Sequence, residues 1–86
     1  MDDKTFAMIK ELTELQGTSG NERNIRNYMR ERMAPLVDRI ETDGLGGIFG
    51  IREHEDETAP RIMVAAHMDE VGFMVSGITE RGLFRV

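Results

Sequence analysis

The sequence contains no cysteine among its 86 residues. Disulfides and thiolate chemistry are thereby excluded. The absence fits a reducing, cytoplasmic setting, because small secreted domains lean on disulfides. No apolar run approaches the ~18–20 residues that cross a bilayer. The start, MDDKTFAMIK, is acidic and has no apolar core, so it does not read as a signal peptide. No basic cluster is present either. Eleven Lys and Arg are scattered among sixteen Asp and Glu, for a net charge of −5. Nucleic acid and an anionic membrane surface are poor partners for such a chain, since phosphate binding needs clustered positive charge. There is no internal repeat, no low-complexity tract, no Ser-His-Asp triad and no phosphate loop.

What is present is a globular balance of 40% hydrophobic and 31% charged residues. That argues against disorder. The length allows one small domain, which buries roughly 60–65% of the surface its unfolded chain exposes. Phe6, Ile9, Leu12 and Leu15 recur at helical spacing, with Asp2 and Asp3 at the favourable end of the dipole and Gly17 as the stop. In GTSGNE, Ser19 and Glu22 have capping-box spacing, so the segment reads as a joint between two helices. Its Gly17 and Gly20 would also allow close approach of the backbone to a ligand. Ile25, Tyr28, Met29 and Met33 form a second helical stripe, which Pro35 ends at or near Ala34.

The period then changes. Residues 37–42 and 48–52 read as antiparallel strands around a turn at Asp43-Gly44 and Gly46-Gly47. EHEDETAP reads as an exposed acidic loop. His54 within it is a conceivable metal ligand, but such a loop ordinarily just solvates its charges. Ile62 to Ala66, apolar throughout, reads as a central strand buried on both faces. Val71 to Ile78 reads as another strand. Glu80-Arg81-Gly82 is a turn, and Leu83 to Val86 begins a hairpin partner. The sequence stops inside that strand without a polar tail, so the chain is expected to be the beginning of a longer one.

His67, Asp69 and Glu70 follow the apolar run at once. Two readings compete. The cluster is either a solvated strand end or the edge of a site. In open α/β sheets, sites gather at the carboxyl ends of strands. His67 and Asp69 project to the same side, and a metal-bound histidine commonly donates its other N–H to a carboxylate. Zinc needs at least three protein ligands, and the chain offers no convincing ones beyond His67. The rest of any metal centre would come from beyond Val86 or from another chain.

ELTELQGTSGNE, TDGLGGIFG and RIMVAAHMDEVGFMV, continuing to ITERGLFRV, together resemble the amino-terminal part of the tetrahedral metallo-aminopeptidases, the glutamyl and deblocking aminopeptidase family. The resemblance covers nearly the whole chain in the family's order. It implies an α/β fold: two amino-terminal helices, then strands of a mixed sheet, as the first part of an α/β/α zinc-peptidase fold. Residues 1–75 would belong to the catalytic domain, and residues 76–86 to the join with an inserted β-rich domain. It implies two divalent metal ions per complete site, zinc or cobalt, a peptide substrate, and homo-oligomers, usually dodecamers. His67 falls on a metal ligand of the family, and Asp69 on the catalytic-site aspartate that supports it. No role carries over to Glu70. The family's bridging aspartate, paired glutamates, further acidic ligand and last histidine would lie downstream, so the 86-residue chain alone should be inactive. Around Gly44 and Gly47 the sequence departs from many relatives, without touching either site residue.

Two rival readings stand beside this one. A non-catalytic interaction or assembly module would fold and oligomerise without metal-dependent activity. A related metal-dependent deacylase or carboxypeptidase would carry valine and proline soon after the aspartate, where Glu70-Val71-Gly72 stands here.

Overall fold

The computed structural model describes Met1–Val86. Both helical stripes form helices, α1 (Asp3–Glu14) and α2 (Arg23–Met33). Asp2 caps α1 by accepting from the Thr5 amide at 2.7 Å, and that bond holds its carboxyl below the usual aspartate range. The helix ends three residues before the expected stop at Gly17. Leu15 is already extended and donates its N–H to Glu11 O. Gly17 is thus free for another role, taken up below. The Tyr28 hydroxyl on α2 donates to Glu11 Oε2 on α1 at 2.9 Å.

The capping box expected at Ser19 is not formed. Glu22 stands at the N-cap of α2 with no side-chain cap bond. Its carboxylate reaches back to the Gly20 amide instead, at 2.8 Å. Gly20, with φ of +85°, turns the chain so that Ser19 lies outside the helix entrance. At the other end Pro35 acts as expected: α2 stops at Met33 and a single 3-10 turn, Ala34–Leu36, follows.

The expected hairpin is β1 (Arg39–Thr42) against β2 (Ile48–Ile51), antiparallel, with Arg39 opposite Ile51 and Thr42 opposite Ile48. Asp43 Oδ1 organises the turn by accepting from the amides of Leu45 and Gly47 at 2.9 and 2.7 Å. Arg26 of α2 donates to Gly46 O at 3.1 Å and ties helix to turn. A second, separate antiparallel pair joins β3 (Gly77–Ile78) and β4 (Phe84–Arg85) across the expected turn at Glu80–Gly82. Only the end of the expected strand over Val71–Ile78 is therefore paired. In the acidic loop, His54 Nδ1 accepts the Asp56 amide at 2.9 Å, a local turn bond.

The largest departure is Ile62–Ala66. The expected central strand makes no ladder and lies open, with Val64 94% exposed. A strand apolar on both faces needs neighbours at both edges and a layer over each face. Two helices and two short hairpins do not provide them. Ile25 is the only buried hydrophobic side chain. The accessible surface is 7919 Å², against about 5,200 Å² for a compact protein of this mass. The radius of gyration is 17.7 Å, against roughly 12 Å for a compact chain of this length.

Candidate functional site

The site begins with a backbone contact between distant segments. The Glu70 amide donates to Gly17 O at 2.8 Å, and Thr18 pairs with Glu70 in an isolated parallel bridge. The GTSGNE segment thus lies beside the HMDE segment. Glycine at 17 lets this backbone lie against Ile25 of α2. A Cβ there would stand 2.8 Å from Ile25 Cγ1 and 3.6 Å from the Met68 carbonyl oxygen. Gly17 is buried, wedged between the α2 side chain and the backbone that links His67 to Asp69.

Three residues on, the same device recurs. A Cβ on Gly72 would overlap Thr18 Cγ2. Thr18, Ser19, His67, Asp69, Glu70 and Gly72 line an open recess of about 330 Å³, which Val71 and Met74 complete.

Within the recess His67 and Asp69 meet. His67 Nδ1 lies 2.9 Å from Asp69 O and 3.1 Å from Asp69 Oδ1. Both partners are acceptors, so Nδ1 carries a proton and donates, while Nε2 makes no hydrogen bond within the chain. The imidazole is 85% exposed and the Asp69 side chain 40% exposed. Glu70 contributes its backbone to the bridge. No three or more His, Cys, Asp or Glu side chains converge anywhere in the chain. One imidazole with one adjoining carboxylate falls short of the three protein ligands a zinc site needs.

Sequence reasoning paired His67 with Asp69 but treated GTSGNE as a helix joint. The sequence signal for its second role was that Gly17 and Gly20 permit close backbone approach.

Comparison with known proteins finds similarity over most of the chain. A family profile described as M42 glutamyl aminopeptidase matches residues 46–86, and one described as AMPT matches residues 3–29. The glutamyl aminopeptidase of Lactococcus lactis is 58% identical over 81 residues, which are 94% of this chain and 23% of that protein. The lysyl aminopeptidase of Pyrococcus furiosus is 36% identical over 82 residues, again 94% of this chain and 23% of that protein. Among solved structures, the TET aminopeptidase of a marine sediment archaeon superposes with a TM-score of 0.84 at 40% identity, covering 95% of this chain and 23% of that one. The chain thus spans about a quarter of the length of the relatives it matches.

Proposed function

With the chain placed in the M42 glutamyl aminopeptidase family as an amino-terminal portion, we propose that it supplies part of the metal site of an enzyme that removes amino-terminal residues from peptides. The observation that carries this reading is the paired His67 and Asp69, with Nδ1 bonded and Nε2 free. Bonding of this kind fixes the tautomer and raises the basicity of the other nitrogen, which is what a ligating imidazole requires.

In this reading His67 Nε2 holds one of two divalent ions, zinc or cobalt. Asp69 aims the ring, from its carboxylate and from its own carbonyl. Two such ions, when bound, would polarise the peptide carbonyl and the attacking water. The general base and the remaining ligands belong to the three quarters of the family's length that this chain does not span. Residues 1–75 form the first part of the catalytic domain. The β3–β4 hairpin, which shares no ladder with β1 and β2, belongs to the join with an inserted β-rich domain. No helix is long and apolar enough to cross a membrane. A cytoplasmic setting, with assembly into a homo-oligomer, completes the proposal.

The test is metal content. In the complete polypeptide, His67→Ala should lose one metal equivalent of two and most turnover. Retention of both equivalents in a folded variant would overturn the ligand assignment.

A further inference from the structure

We propose that Gly17 and Thr18 act as a positioning clamp for the His67–Asp69 pair. The inference rests on the ligand reading above but concerns residues that reading leaves unused. Neither Gly17 nor Thr18 needs to touch metal or substrate to serve in this way.

The argument is geometric. His67 and Asp69 project from a segment with no ladder partner on its apolar side: Ile62 to Ala66 is unpaired, and so are Val71 to Val75, the first hairpin bond being that from the Ser76 amide to Arg85 O. Between these two free stretches there is one fixed point, the bridge at Glu70. It lies one residue beyond Asp69. The bond from the Glu70 amide to Gly17 O sets the position of that peptide, and Asp69 contributes to the same peptide the carbonyl that His67 Nδ1 bonds at 2.9 Å. The clamp therefore acts directly on one of the two acceptors that orient the imidazole.

Two glycines make this contact sterically possible, one on each side. Gly17 presents no Cβ to Ile25, whose Cγ1 would lie 2.8 Å away. Gly72 presents none to the Thr18 methyl. Neither has the positive φ of Gly20, Gly46 and Gly82. Backbone conformation thus does not demand glycine at 17 or 72, and close packing does. The anchor behind Gly17 is Ile25, the single buried hydrophobic side chain. The clamp is thereby fastened to α2, the element that also holds the β1–β2 turn through Arg26. A site whose ligand must be held to within about half an ångström needs such support from rigid elements.

The test uses the complete polypeptide loaded with Co²⁺. Binding of each of two equivalents is followed by visible absorption, and the Glu70 amide by hydrogen exchange. Gly72→Ala drives a methyl into Thr18 Cγ2 and should weaken one Co²⁺ equivalent about tenfold, the scale of a lost supporting contact. The other equivalent should be retained, and Glu70 exchange should rise. Thr18→Ser removes the obstructing methyl and keeps the hydroxyl, so Gly72→Ala/Thr18→Ser should recover both readouts to within about twofold of the parent. A general loss of structure would weaken both equivalents together and would count against the clamp.

Gly17→Ala attacks the contact from the other side and serves if Gly72→Ala does not accumulate. It should again weaken one equivalent in a folded protein. Parent-like Co²⁺ binding in either folded glycine variant, or no recovery in the double variant, would overturn the clamp. Parent-like binding in His67→Ala would instead overturn the ligand reading beneath it.

Discussion

His67 Nδ1 has two acceptors on one residue, the carbonyl oxygen of Asp69 at 2.9 Å and its carboxylate at 3.1 Å. Asp69 therefore orients the ring twice, once through the chain and once through its side chain. Losing the carboxylate leaves the carbonyl in place. In the complete polypeptide, Asp69→Asn should weaken metal binding towards the lower end of the roughly 10–100-fold range typical of supporting residues. Asp69→Ala should fall close to Asn, because the carbonyl survives in both. Competition with a chelator of known affinity reads the loss. A drop of several thousandfold in Asp69→Asn would assign the carboxylate to the metal itself.

The turn between β1 and β2 is a second point of leverage. Asp43 accepts two turn amides, and Gly46 sits at φ +93° with a Cβ position 3.1 Å from Arg26 Nη1. Asp43→Ala and Gly46→Ala should each lower the local opening free energy of the hairpin by about 1–2 kcal/mol. Amide exchange over Arg39–Ile51 reports this directly. Both changes should leave metal stoichiometry intact, because neither residue lines the recess.

Acid should loosen the start of α1. The Thr5 amide holds the Asp2 carboxyl below the ordinary aspartate value of 3.8. A lowered carboxylate pKa contributes stability that is fully present above 3.8. That contribution is lost as pH falls through the still lower folded value. Protection of the Thr5 amide should accordingly decline only in strongly acidic solution. Asp2→Asn, which caps without titrating, should flatten the dependence. An unchanged acid profile in Asp2→Asn would show that another group governs the end of the helix.

The isolated 86-residue chain should bind a hydrophobic dye strongly and show no aminopeptidase turnover with added zinc or cobalt. One buried hydrophobic side chain does not make a core, and one imidazole does not make a metal site. Dye fluorescence and a leucine-anilide assay measure the two halves of this prediction. Turnover by the isolated chain would contradict the division of the site proposed above.

The helices and the first hairpin were legible because their signals are local. The period of Phe6, Ile9 and Leu12, the stop at Pro35 and the turn at Asp43-Gly44 all act within a few residues. The His67–Asp69 pair was legible for the same reason, being two residues apart. Ile62–Ala66 was misjudged because a fully apolar run states a demand for burial without supplying the layers that meet it. The capping box failed where Gly20 turned the chain between Ser19 and Glu22. The bridge from Gly17 to Glu70 spans some fifty positions, and no local pattern encodes it. Only the excess of glycine where no turn requires it points there.

The open ribbon from Ile62 to Ala66 also bears on how molecules of the chain meet one another. It is short, free of proline and charge, and unpaired along both edges, so its backbone groups are open to another strand. An identical ribbon from another molecule can pair along such an open edge. Self-association of the chain is then expected to run through this ribbon and to grow with concentration.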